Sequence, residues 1–208
     1  MRKNLLKQLT LALILMTAVP FVNAQVAHVG DILCTSGVFV SPSEYENSGL
    51  EAMGVIFYVD ATGQHGWAVA LEDAGNFKWC DENTDTPLPN FVSTRAAIYD
   101  LNGLFNSQEI LDWDAPNNIT FPAFEALDVD NGWYLPAIGQ LNYLYGNLVE
   151  VNIGLAVVGG TTFNMSGSWD YWSSTETTQS AWYLVSSGKL QNNDWKYYSK
   201  SVRGVRNF

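Results

Sequence analysis

The hydrophobic pattern changes character several times along the chain. Arg2, Lys3 and Lys7 precede an apolar run from Leu9 to Val22, and Val22-Asn23-Ala24 has the small-x-small form of an export cleavage site. The run is shorter than the ~20 residues needed to span a bilayer, and no stop-transfer segment follows. Residues 1–24 are therefore expected to be a removable signal peptide, which sends the rest to the periplasm, the cell surface or the exterior.

Residues 25–53 are polar and weakly periodic, and read as a lead-in that packs loosely or forms one short strand. Gly54 to Val59 is dense in β-branched and aromatic residues, Asp60-Ala61-Thr62-Gly63 is a turn signal, and Gly66 to Leu71 is the returning strand of a hairpin. Residues 72–92, acidic and carrying Pro87 and Pro89, read as a loop. Ser93 can cap a helix from Thr94 to about Asn102. Asp112 to Thr120 reads as a loop, and Pro122 suits the first turn of a short helix through Leu127. Asp130-Asn131-Gly132 turns the chain into Trp133.

Pro136 stands where a further helix should begin, and Ile138, Leu141, Leu144 and Leu148 follow at helical spacing. Residues 149–158 fit helix or strand, and Gly159-Gly160 ends them. From Trp169 onward the pattern is β: a strand at Trp172, another at 181–185, a third at 189–198 after a Ser187-Gly188 turn, and a last at 201–208. Hairpin, helices and strand meander together predict an α+β domain over residues 54–208.

Charge narrows the partners. The chain has 21 acidic residues against ten Lys and Arg, three of which lie in residues 1–24. Such a surface repels nucleic acid and anionic membranes, and makes sulfated polysaccharide a poor partner. Lys189, Lys196, Lys200, Arg203 and Arg206 crowd the last twenty residues. They form either a basic patch or strand-edge lysines that discourage aggregation. Cys34 and Cys80 in an exported chain form a disulfide or serve as two small buried hydrophobes. Two His and no close Cys/His cluster give no zinc site, and no cofactor is expected.

Three phrases carry a family resemblance: Trp133-Tyr134-Leu135-Pro136 with Gln140-Leu141, Tyr171-Trp172-Ser173-Ser174-Thr175-Glu176, and Val202-Arg203-Gly204-Val205-Arg206. With the strand at Gly54-Val55-Ile56-Phe57, they make residues 54–208 resemble the Lcl C-terminal and Fibrobacter-type major paralogous domains of exported bacterial proteins. The resemblance implies a C-type-lectin-like fold: a twisted antiparallel sheet, two or three flanking helices, long loops, and N- and C-terminal strands side by side. It also implies surface exposure or fimbrial association, with a glycan or glycoprotein ligand in some members. Formylglycine-generating enzymes of the same superfold need paired cysteines late in the domain, and this chain has none after Cys80.

Candidate chemistry is sparse. Asp128-Val129-Asp130-Asn131-Gly132 is one residue short of a calcium loop and has no matching glutamate, so no metal site is expected. Asp112 and Asp114 flank Trp113 and could make a glycosidase pair. Ser173-Ser174, with no His nearby, should cap or turn the chain, and Arg203 or Arg206 should pair with Glu176 or Asp170.

Eight tryptophans offer faces on which sugar rings stack. Trp67, Trp133, Trp172 and Trp182 fall in predicted strands or at helix starts and read as core. Trp169 and Trp195 follow polar loops. With Asp170, Asn193 and Asp194 they form the candidate ligand site, or else cover the sheet's second face. The expected function is a non-enzymatic recognition or adhesion module for a glycan or glycoprotein. The alternatives are a structural subunit of a fimbria or envelope complex and a carboxylate-dependent glycan hydrolase.

Overall fold

A computed structural model describes residues 25–164, 169–185 and 192–208. The expected signal peptide and the Ser187-Gly188 turn lie outside these residues. The elements run β1 (Ile32–Cys34), β2 (Phe39–Val40), α1 (Pro42–Tyr45), β3 (Ala52–Val59), β4 (Gly66–Ala70), β5 (Gly75–Lys78) and α2 (Thr94–Ala97). They continue with α3 (Gly103–Asn117), α4 (Pro122–Glu125), a 3-10 turn (Val129–Asn131), α5 (Ile138–Gly146) and α6 (Leu148–Val158). The chain ends in β6 (Asp170–Glu176), β7 (Ser180–Val185), β8 (Asn192–Trp195), β9 (Ser199–Val202) and β10 (Val205–Asn207). The architecture is α+β. No helix among the described residues is long and apolar enough to cross a membrane.

The strands divide between two five-stranded sheets, where a single sheet was expected. The first has the order β10-β4-β3-β1-β2 and the second β5-β9-β6-β7-β8. The division falls inside the closing phrase: β9 ends at Val202 in the second sheet, and β10 begins at Val205 in the first. The C-terminal strand pairs with β4, through Val205↔Val69 and Asn207↔Trp67. It therefore lies on the far side of the hairpin from β1 and β2, not beside an N-terminal strand.

Alternation along β3 explains the layering. Val55 and Phe57 face a core shared with α5, α6 and the second sheet, while Ile56 faces a smaller core with Leu33, Phe39 and Ala68. A strand buried on both faces reads as a continuous apolar run, as this one does. The far face of the second sheet packs Trp172, Ala181 and Val202 against Trp79, Ile110, Phe121 and Phe124. The lead-in is not loose: it supplies two strands, and Ile32, Leu33 and Cys34 are buried.

Two further expectations are corrected. Residues 75–78, read as loop, form β5, whose one strand partner among the described residues is β9. Asp112 to Asn117 belong to α3, which ends at Asn118 in the left-handed region with φ 56°. Its docked residues include Asn106 and Ser107, so the helix shows no apolar stripe. Residues 149–158, which fitted helix or strand, are helical, and Gly159 (φ 74°) closes that helix. The two cysteines are free, buried thiols, with Cys80 in the far-face core.

Candidate functional site

The strand Tyr171–Glu176 is polar yet buried, and its hydroxyls bind the fold together. Ser173 Oγ donates to the Trp182 carbonyl, and Thr175 Oγ1 donates to Asp100 Oδ2 at 2.7 Å while accepting from the Ile138 amide. Asn106 Nδ2 reaches Asp100 Oδ2 and Ser174 Oγ, each at 3.0 Å. Ser173 and Ser174 therefore neither cap nor turn the chain; they lie mid-strand and satisfy buried backbone and helix groups.

Three of the five tail cations are interior, which corrects both readings for them; Arg206 is part-buried, and Lys189 lies outside the described residues. Lys196, Lys200 and Arg203 are buried, each against an acid and an aromatic ring. Lys196 Nζ meets Glu176 Oε2 and lies 4.6 Å from the Trp79 ring centre. Arg203 pairs with Asp73 at 3.4 Å, not with Glu176 or Asp170, and donates to the Ala70 and Leu71 carbonyls. Arg206 rests over Trp133 at 5.2 Å.

Lys200 draws two of the candidate residues together. Its Nζ lies 2.9 Å from Asp194 Oδ2 and 3.9 Å from Asp170 Oδ2, and sits 3.8 Å from the Tyr183 ring centre. Burial pushes the Asp170 carboxyl upward against the pull of Lys200, and the Asp194 charge adds to the rise. Asn193 is exposed on β8, opposite Trp182.

The two tryptophans do not share a site. Trp195 pairs with Ser180 and Asp170 with Val185, five positions apart along β7. At ~3.3 Å per residue that places Trp169 and Trp195 roughly 16 Å or more apart. Trp169 leans on the core edge, with Phe163 and Tyr171 ring centres at 5.8 and 5.2 Å, and donates its indole N–H to the Asn164 carbonyl. Trp195 stands out from the surface at 41% exposure, and so do Tyr197 and Tyr198 at 40% and 46%. Trp195 and Tyr197 lie parallel within 3°, their centres 6.4 Å apart, and Tyr198 meets Tyr197 at 4.8 Å.

Tyr197 and Tyr198 are the residues that sequence reasoning missed. The signal was present in Trp195-Lys196-Tyr197-Tyr198, three aromatics around one lysine. Lys196 points inward, its backbone carbonyl accepting from the Trp79 and Cys80 amides, and the aromatics are left outside. Asp112 and Asp114, two apart on α3, point to different sides of the helix and do not converge as a glycosidase pair would. Asp128, from the calcium-like segment, caps the 3-10 turn by accepting from the Asn131 amide. Against known protein families and curated proteins alike, the chain shows no match.

Proposed function

We propose that this chain is an exported, non-enzymatic recognition module, C-type-lectin-like in kind, that binds a glycan or glycoprotein at the bacterial surface or in the periplasm. One observation carries the reading: Trp195, Tyr197 and Tyr198 form an exposed aromatic surface beside Asn193 and Asp194. Exposed rings next to amide and carboxylate groups suit sugar rings, whose C–H faces stack while their hydroxyls bond at the edge. The surface is held from below by the Lys196–Glu176 pair, so the rings need little ordering on binding.

The test is a glycan array with the mature chain beside Trp195→Ala and Trp169→Ala. For at least one glycan, Trp195→Ala should lower the signal at least tenfold, and Trp169→Ala should leave it unchanged. Equal binding of every glycan by all three proteins would refute the site. A second reading, assembly with an envelope partner, is favoured by α6, which exposes Val149 and Ile153 one turn apart. Binding to no glycan would point to it.

A further inference from the structure

A second aromatic cluster lies on the first sheet, on strands other than those that carry Trp195. Tyr58, Trp67 and Asn207 are directly opposite one another across β3, β4 and β10, in register Tyr58↔Trp67 and Trp67↔Asn207. Side chains directly opposite share one face of a sheet, so the three form a row about 10 Å long. Tyr58 stacks on Trp67 with centres 4.3 Å apart, and Tyr143 packs against the two rings at 4.8 and 5.7 Å, so all three hold one another in place and the Tyr58 and Trp67 rings are part-buried. Cavities of about 290 and 350 Å³ open on the two sides of this row and share Trp67 and Asn207. Phe105, 53% exposed, walls the first, and Asp60 and His65 wall the second.

The polar groups of the row are preset. Gln140 is buried, with Oε1 accepting from the Ala137 amide at 2.9 Å and Nε2 donating to the Tyr134 hydroxyl at 3.0 Å. Tyr134 must then donate, and it does so to Asn207 Oδ1 at 2.6 Å. Its hydroxyl keeps the proton because burial pushes its pKa up to about 12. With Oδ1 so engaged, the exposed Asn207 amide turns its two N–H groups toward the groove. Trp79, Trp172 and Trp182 give their indole N–H to backbone carbonyls, whereas Trp67 gives its own to no acceptor among the described residues. Asp60 is held ionised first by the Thr62 hydroxyl and then by backbone amides, and supplies an acceptor.

We propose that this groove binds a neutral oligosaccharide, seated across the Tyr58–Trp67–Asn207 row. The accessible parts of these rings, the N–H groups of Asn207 and Trp67 and one carboxylate acceptor match the C–H faces and hydroxyls of pyranose rings. Among the described residues no Lys or Arg lines either cavity, and Asp60 together with the acidic surface opposes an anionic or sulfated chain. The site is independent of the Trp195 surface, so each can fail alone.

Isothermal titration of the mature chain with cellotetraose, xylotetraose, mannotetraose and chitotetraose tests it, alongside Trp195→Ala, Asn207→Asp and Phe105→Ala. Asn207→Asp keeps the acceptor for Tyr134 and removes both donors, so the fold is retained. At least one tetrasaccharide should bind wild type and Trp195→Ala equally, and Asn207→Asp at least tenfold more weakly, with Phe105→Ala weakened in the same direction. Binding to none of the four overturns the proposal. Binding abolished by Trp195→Ala but untouched by Asn207→Asp also overturns it, and leaves the Trp195 reading standing.

Discussion

The side chains that decide this molecule are cations turned inward. Lys196 and Glu176 are fully buried, and Thr86 Oγ1 donates to Glu176 Oε1 at 2.5 Å while Lys196 Nζ donates to the Thr84 carbonyl at 2.6 Å. Desolvation raises the Glu176 pKa, and Lys196 and Thr86 oppose the rise. Removing one partner leaves an uncompensated charge in a dry site. Lys196→Met should therefore cost about 3–5 kcal/mol, and adding Glu176→Gln should recover much of that loss. Urea titrations of the single and double variants measure the coupling; strictly additive losses would contradict it. The lysine also fixes the direction of its neighbours, because a buried Lys196 leaves Trp195 and Tyr197 facing water.

Among the elements, α6 shows how closely the layers approach. A Cβ on Gly154 would lie 2.7 Å from Val55 Cγ1 and 2.8 Å from the Gly30 carbonyl oxygen. In an exposed helix Gly→Ala gains up to ~1 kcal/mol, but here the contact with backbone cannot yield. Gly154→Ala should lower stability by about 1–3 kcal/mol in thermal or urea unfolding, and a rise in stability would show that the helix can move away. Elements also mark where the sequence was legible. The β3–β4 hairpin, the Ser93 cap, the turn before Trp133 and the helix after Pro136 stand where pattern and turn residues put them. α3 was hidden because its buried face carries Asn106 and Ser107, whose partners lie far away in sequence. β5 was hidden because Gly75-Asn76-Phe77-Lys78 has no strand signature and owes its conformation to β9. Of the candidate site, Asp170, Asp194 and Trp195 were legible as polar and aromatic loop residues. Their grouping depends on Lys200, and the split of Trp169 from Trp195 depends on register, neither of which periodicity reveals.

Across the whole molecule, the Tyr134 relay joins helix start, sheet edge and groove, and makes stability sensitive to alkali. The native phenol titrates at about 12, and the unfolded one at about 10. Between those values the native state keeps a proton that the unfolded state has released. The contribution is thus complete below pH ~10 and falls as pH rises toward ~12, by about 3 kcal/mol in all. Tyr134→Phe should be less stable than wild type near neutrality, with the gap closing as pH climbs through this window. Denaturant titrations at about pH 9 and 11 check the trend, and a widening gap would contradict it.

The step at Arg203-Gly204, where the chain leaves one sheet for the other, also sets a timetable. β9 fills the interior position between β5 and β6, and β10 closes the hairpin side of the first sheet. Without residues 199–202, β5 has no strand to pair with and is cut off from β6. Docking β5 thus waits on a pairing that joins residues 75–78 to 199–202, and closure over so long a stretch of chain slows folding.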